Sequence, residues 1–241
     1  MTTTVEVLQD ADALHHAAAS YVGTAAAEAV RARGRCLFAL SGGETPRGLY
    51  ELLAREGTRL LPWAETELFF GDERCVPPTD AASNFRLARE SLLAGAGVPR
   101  RVHRIEGERG AHEAAARYDE TLRQSLPAPG GDAAWRSFDV TLLGIGSDGH
   151  VASLFPGSPL LDERDRFAVA AEAPAGNPVR DRVSVTLPVI DASRLVLVLV
   201  SGASKRDAVR HALDGDRRLP AARVRAERVV WLLDREASPT R

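Results

Sequence analysis

The chain has 241 residues, of which 44% are apolar and 27% charged, and its formal net charge is −2. A chain this long buries a substantial core without disulfide or metal staples, and its near-neutral charge excludes a global attraction to nucleic acid or membranes. Cys36 and Cys75 form no spacing motif, no apolar run reaches the ~18 residues of a membrane span, and the N-terminus lacks signal-peptide features. We expect a cytoplasmic protein with a single α/β domain over residues 1–241.

In the first half of the chain, helical segments alternate with short apolar runs. Alanine-rich composition predicts a first helix, and Pro46 suits the first turn of a second one, whose apolar stripe contains Leu49 and Leu53. Helices are predicted at residues 11–33, from residue 46, at 84–94 and at 110–126. Buried strands are predicted at residues 36–40 and 67–70.

The second half continues the alternation. Residues 195–200 are continuously aliphatic, which indicates a central parallel strand covered on both faces, whereas residues 182–187 alternate as a half-buried strand does. Further strands are predicted at residues 138–143 and 229–233, a helix at 204–213, and a loop at 127–132. The alternation predicts an α/β fold in which helices cover both faces of a mostly parallel sheet.

Polar and glycine residues gather where the predicted strands end. They occupy residues 41–43, 72–74, 147–150 and 201–202. In open α/β sheets the ligand crevice lies outside the carboxyl ends of the strands. We therefore expect four separate loops to converge on one site.

The first of these loops has the composition of a phosphate cradle. Gly42 and Gly43 allow backbone N–H groups to approach an anion, the following helix directs its positive end there, and Ser41 and Thr45 add hydroxyl donors. The loop is no Walker A motif, because Leu49 follows Gly48 where that motif has lysine. The alternative is an ordinary strand-to-helix turn with a capping threonine.

The third loop matches the pattern G-x-G-x-x-G at residues 144–149, but Pro156 and Pro159 stop the long helix that a dinucleotide site requires. Its better use is to present Asp148 and His150, since histidine can act as a general base near neutral pH. The alternative is a glycine-rich turn with incidental polar residues.

Three cations are candidates for binding a phosphate or a developing oxyanion: Arg74, Arg182 and Lys205. Each taken alone is also compatible with a surface charge. A covalent serine hydrolase is a further alternative, because Ser41, Asp148 and His150 follow the order of a catalytic triad, although the elbow around Ser41 lacks its first glycine. The adjacent His15 and His16 lack zinc-ligand spacing and are predicted to be surface residues.

Four blocks together resemble the 6-phosphogluconolactonases, within the larger group that includes the glucosamine-6-phosphate isomerase/deaminases. The blocks are LSGGETP at residues 40–46, FGDER at 70–74 with SN at 83–84, LGIGSDGH at 143–150, and LVSGASK at 199–205. The resemblance implies a Rossmann-like three-layer fold and hydrolysis of a sugar-phosphate lactone, 6-phospho-D-glucono-1,5-lactone, in the oxidative pentose phosphate pathway. It implies no metal and no nucleotide cofactor. We expect a monomer or weak homodimer.

The resemblance also implies the roles of individual residues. His150 matches the catalytic base, with Asp148 beside it, and Arg74 matches the arginine at the reacting end or the phosphate. The residues implied to bind substrate are Ser41, Gly42, Gly43, Thr45, Asp72, Asn84, Arg182 and Lys205.

Two departures favour a lactonase over an isomerase. The isomerases carry Asp-Glu-Tyr where this chain has residues 72–74, and they place an acid shortly after Asp-Gly-His, where this chain has residues 153–156. An isomerase or deaminase on the same fold remains an alternative, as does a non-catalytic sugar-phosphate sensor. Pro188 is expected to shorten the strand at residues 182–187 without touching the site.

Overall fold

The computed structural model describes residues 1–95, 97–126 and 138–239. The predicted loop at residues 127–132 therefore lies outside the described residues. The helices are α1 (Ala11–Arg33), α2 (Thr45–Glu56), α3 (Asn84–Ala88), α4 (Ala111–Ser125), α5 (Leu187–Asp191) and α6 (Arg206–Leu213). The strands are β1 (Thr2–Leu8), β2 (Cys36–Leu40), β3 (Thr66–Phe70), β4 (Asp72–Arg74), β5 (Arg101–Val102), β6 (Val140–Leu143), β7 (Ala168–Glu172), β8 (Asp181–Val185), β9 (Leu195–Val200) and β10 (Arg228–Asp234).

Seven strands form a central sheet in the order β1-β10-β9-β6-β2-β3-β5, and every neighbouring pair is parallel. β9 lies inside this sheet, and all six of its residues are buried, as its aliphatic run predicts. The predicted α/β three-layer fold with a mostly parallel sheet is confirmed. The carboxyl ends of these strands meet at one edge of the sheet, where the polar loops follow them.

The first helix illustrates how local signals define an element here. The Asp10 side chain accepts a hydrogen bond from the Ala13 N–H, and Gly34 ends the helix in the left-handed conformation at a φ of 72°. Between these caps, alanines and Leu14 and Val22 face the core and are fully buried. Small side chains let α1 pack closely against α2 and against the strands of the central sheet.

The helix predicted at residues 84–94 forms in two parts. α3 continues into a π-helical turn at Arg89–Leu93. The Ser83 side chain caps α3 by accepting from the Arg86 N–H at 3.1 Å. This short element begins beside β4, and that position brings Asn84 toward the site.

A second sheet, which the sequence analysis did not predict, contains three antiparallel strands in the order β4-β8-β7. Its register sets Asp72 opposite Ser184 and Arg74 opposite Arg182. Because side chains alternate along a strand, these four share one face of the small sheet. The face is directed at the carboxyl edge of the central sheet, where Asp72 and Arg74 line a cavity.

The strand predicted at residues 182–187 ends at Val185, shortened as expected, because Pro188 lies in the first turn of the short helix α5, which begins at Leu187. The prediction that this strand is half-buried is wrong: its polar face carries Ser184, which is fully buried under the segment after His150. Among the described residues, the chain has no helix both long and apolar enough to cross a bilayer.

Candidate active site

A cavity of about 410 Å³ opens at the carboxyl edge of the central sheet. Its volume falls within the ~300–1,000 Å³ typical of small-ligand sites. Eight of the predicted site residues line it: Ser41, Gly42, Gly43, Thr45, Asp72, Arg74, His150 and Lys205. Asp148, Asn84 and Arg182 lie behind this lining, each in contact with or opposite a lining residue.

The imidazole of His150 is oriented by Asp148. His150 Nδ1 lies 2.6 Å from Asp148 Oδ1, and the ring packs against Phe155 with centroids 4.7 Å apart. The hydrogen bond with His150 is the main reason that the pKa of Asp148 is lowered from its ordinary value, so the carboxylate stays charged. A carboxylate at Nδ1 favours a proton there and leaves the Nε2 lone pair available. Within the described part of the chain, Nε2 has no hydrogen-bond partner.

Glycine makes this loop possible at two positions. A Cβ on Gly146 would overlap the His150 ring and Asp148, and Gly149 has a φ of 84° with the Leu219 side chain against it. The pattern at residues 144–149 therefore gives the Asp148–His150 pair room. No long helix follows, in agreement with the rejection of a dinucleotide site, since residues 151–154 form a tight turn closed by the Leu154 N–H on the Val151 carbonyl.

The loop after β2 faces the same cavity. Tyr50 of α2 fixes its backbone by accepting from the Ser41 N–H at 2.9 Å and donating to the Ser41 carbonyl at 2.6 Å. Gly43 has a φ of 98°, a conformation that favours glycine. No side chain caps the start of α2, so the alternative of a threonine-capped turn is wrong.

Gly42 has a different requirement from Gly43. A Cβ at Gly42 would overlap the carboxamide of Asn84, which reaches across from the start of α3. The loop after β2 and the start of α3 therefore fit together only with glycine at this position. The prediction that Asn84 binds substrate remains a prediction, and this buried side chain does not line the cavity.

Three cations surround the cavity or support it. Arg74 Nη1 donates to the Ala82 carbonyl at 2.6 Å, whereas its buried Nε has no partner. Arg182, directly opposite on β8, is only 8% exposed, so the alternative of a surface cation is wrong for it. Burial and the charge of Arg74 lower the pKa of Arg182. Among the described residues, no carboxylate lies within 4.0 Å of Arg74, Arg182 or Lys205.

The Lys205 loop is held by a carboxylate that the sequence analysis missed. Asp234, at the end of β10, accepts from Ser201 Oγ at 2.5 Å and from the Gly202 N–H at 3.0 Å. Gly202 adopts a φ of 92° before the turn that contains Lys205. Lys205 therefore lines the cavity from a loop anchored to the neighbouring strand.

Comparisons with known proteins identify the family of this chain. The family model described as glucosamine-6-phosphate isomerases/6-phosphogluconolactonase matches residues 9–231. The chain belongs to this family. It is 39% identical to a 6-phosphogluconolactonase of Mycobacterium tuberculosis over 99% of this chain and 98% of that protein. The solved 6-phosphogluconolactonase of Trypanosoma brucei superposes with a TM-score of 0.87 at 30% identity, covering 98% of this chain and 97% of that one. The structure of a monomeric glucosamine-6-phosphate deaminase, at 22% identity and a TM-score of 0.77, shares the fold.

In this member of the glucosamine-6-phosphate isomerase/6-phosphogluconolactonase family, several residues that shape the site carried no recognisable sequence signal. His15 is one: it is partly exposed, as a residue at the surface would be, but its Nε2 lies 2.9 Å from the Thr45 carbonyl and its ring packs on Gly48. Tyr50 was detectable in principle, because a tyrosine on the buried stripe of a helix needs a partner for its hydroxyl. The roles of Ser153 and Asp234 depend on contacts with residues distant in the sequence, so only the structure shows them.

Proposed function

We propose that this protein is an enzyme that hydrolyses 6-phospho-D-glucono-1,5-lactone to 6-phosphogluconate in the oxidative pentose phosphate pathway. One observation carries the proposal: the Gly42–Gly43 loop and the imidazole of His150 line the same cavity. An anion subsite at one end and a base at the other suit a sugar phosphate whose reacting carbon lies far from its phosphate. The curated relatives are named for this activity.

The phosphate is assigned to the side of the cavity where donors converge. These are the backbone N–H groups around Gly43, the start of α2, the Ser41 and Thr45 hydroxyls, and Lys205. Arg182 adds positive charge from behind Arg74, since both side chains stand on one face of the small sheet. Binding here positions the lactone carbonyl near His150 and removes much of the entropic part of the barrier.

His150 then acts as the general base. With a proton on Nδ1 held by Asp148, Nε2 takes a proton from water, and the hydroxide adds to C1 of the lactone. The resulting oxyanion is stabilised by Arg74 or by backbone N–H groups. The C1–O bond to the ring oxygen breaks, and the imidazolium returns its proton to that oxygen. Water is thereby added across the ester, and no redox step is involved.

The test compares wild type with His150→Ala in a pH-stat or NMR assay of freshly prepared lactone. We expect kcat to fall by about 10²–10⁴-fold, the contribution of general-base catalysis, with KM little changed. His112→Ala is the matched control, because His112 is an exposed histidine on α4 and its loss should leave both constants unchanged. Equal losses of binding and turnover would contradict the base role.

An isomerase or deaminase is the second candidate, favoured only by the shared fold. The same samples are assayed for ketose formation from an aldose or amino-sugar phosphate, and such turnover in wild type would replace the lactonase assignment. A single domain over residues 1–241, a cytoplasmic location and a monomer or weak homodimer stay predictions from the sequence. Light scattering after size exclusion measures the assembly.

A further inference from the structure

Asp72 has a buried environment that the proposed hydrolysis does not use. Asp72 is only 6% exposed, and each of its carboxylate oxygens accepts a hydrogen bond from a different buried side chain. Asn84 Nδ2 donates to Oδ1 at 3.0 Å, and Ser153 Oγ donates to Oδ2 at 2.6 Å. Asn84 and Ser153 are 3% and 0% exposed, so neither bond competes with bulk water.

The two donors belong to two different segments next to the loops that line the cavity. Ser153 lies three residues after His150 and also donates its N–H to Ser184 Oγ at 3.2 Å. Asn84 stands at the start of α3, and its carboxamide packs directly on Gly42 of the loop assigned to the phosphate. A single carboxylate therefore connects the loop that carries His150 with the loop that carries Gly42 and Gly43.

The turn after His150 needs such an anchor. Ala152 has a φ of 49°, and it is the one non-glycine residue with a positive φ among the described residues. A left-handed alanine costs roughly 1–2 kcal/mol, and such a conformation persists only where its surroundings impose it. Ser153, the next residue, is held on both its N–H and its hydroxyl.

We infer that Asp72 is a positioning residue that sets the separation between His150 and the Gly42–Gly43 loop. It acts through its two hydrogen-bond partners, Asn84 and Ser153. This role rests on the proposed function and adds a determinant of its rate. The substrate spans both loops, so a small change in their separation moves the lactone carbon relative to Nε2. A misplacement of about 1 Å can cost on the order of 10²-fold in rate.

The experiment compares Asp72→Ala, Asp72→Asn and Ser153→Ala by kcat, KM and the pH profile of kcat. Asparagine preserves both contacts without charge, because its Oδ1 accepts from Asn84 and its Nδ2 donates to Ser153 Oγ. We expect kcat of Asp72→Ala to fall about 10²-fold and that of Ser153→Ala about 10-fold, with KM changed less than about 3-fold. Asp72→Asn should restore most of kcat and keep the acid limb of the profile.

Two results would overturn the inference. If Asp72→Asn is as inactive as Asp72→Ala and loses the acid limb, then Asp72 itself exchanges protons with the substrate. If all three variants match wild type in kcat, the connection does not set the rate.

Hydrogen–deuterium exchange separates this inference from the proposed function and guards against misfolded variants. In Ser153→Ala, the amides of residues 151–154 should lose protection while those of β9 keep it, whether or not the protein hydrolyses lactones. Unchanged protection at 151–154 would show that Ser153 does not anchor the turn. Lack of lactone turnover in wild type would instead contradict the proposed function and leave the exchange result interpretable.

Discussion

The two edges of the central sheet are both rich in charge, but they use it in opposite ways. At the amino edge, Glu67 is 6% exposed and is surrounded by Arg35, Arg100 and His103 at 3.4, 3.5 and 2.9 Å. At the carboxyl edge, Arg74, Arg182 and Lys205 have no carboxylate at ion-pair distance within the described residues.

Asp139 completes the pattern at the amino edge. It pairs with Arg33 at 2.7 Å and Arg194 at 3.5 Å and accepts from the Leu37 N–H at 2.8 Å. Charges at this edge are thus neutralised by the fold itself. A partly buried cation without a carboxylate at ion-pair distance contributes little to folding stability, so these three cations fit the proposal that a substrate phosphate binds at the carboxyl edge.

The largest expected effect comes from removing an uncompensated cation. In Arg74→Met, kcat/KM should fall about 10²–10³-fold, as when a donor to a developing oxyanion is lost. The free energy of unfolding should stay the same or rise, because the substitution removes a partly buried charge. Kinetics and urea denaturation measure both quantities. Arg59→Met, at a side chain that is 83% exposed, is the control, and a marked loss of stability in Arg74→Met would remove the contrast between the edges.

The opposite result is expected at the amino edge. Asp139→Ala leaves two guanidinium groups without their carboxylate and the Leu37 N–H without its acceptor. The free energy of unfolding should fall by about 2–3 kcal/mol, measured in urea. kcat and KM per folded molecule should match wild type. A selective loss of kcat in fully folded Asp139→Ala would mean that the amino edge also serves catalysis.

The smallest expected effect, on the pH dependence of stability, concerns a carboxylate at the amino edge that has no ion pair among the described residues. Asp191, at the end of α5, accepts from the Arg225 N–H at 2.6 Å but has no ion pair among the described residues, and burial raises its pKa to about 6. The folded state therefore holds its proton more tightly than the unfolded state. This contribution to stability is complete below the ordinary pKa of an aspartic acid and is lost as the pH rises through about 6.

In Asp191→Asn this loss should disappear, because asparagine still accepts from the Arg225 N–H. Between pH 4 and pH 7, wild type should lose about 1–2 kcal/mol relative to the variant, reduced by the water that reaches this partly exposed group. Urea denaturation across that pH range measures the difference. Parallel pH curves for the two proteins would show that Asp191 has an ordinary environment.

The inner strands of the central sheet were predictable because their signals are local, whereas its edge strands β1 and β5 were not predicted. The aliphatic run of β9 and the alanine-rich α1 need no knowledge of distant residues, and their predicted bounds agree with the structure. The convergence of Gly42, His150 and Lys205 on one cavity followed from the geometry of parallel strands. The helix at residues 84–94 was also predicted from a local pattern, but the π-helical turn within it was not predicted.

The small antiparallel sheet could not be predicted in the same way. β4 has three charged residues, Asp72, Glu73 and Arg74, which are typical of a loop, and only pairing with β8 makes it a strand. Glu73 is buried because it accepts from Ser83 Oγ and from the N–H groups of Arg74, Asn84 and Phe85, and burial raises its pKa. Such contacts between segments leave no periodic trace in a sequence.

The pairing of β4 with β8 also limits how this protein can change over time. Arg182 faces Arg74 only in the observed register, and a shift of one residue along β8 would turn its guanidinium to the opposite side and bring Val183 to the cavity. Lengthening the β7–β8 hairpin loop at residues 174–179, beyond the hydrogen bond from the Ala173 N–H to the Arg180 carbonyl, leaves that pairing untouched. A single-residue deletion inside β8 would disrupt the pairing. Homologous sequences can therefore differ in length at the hairpin loop, whereas β8 tolerates substitutions but no change in length.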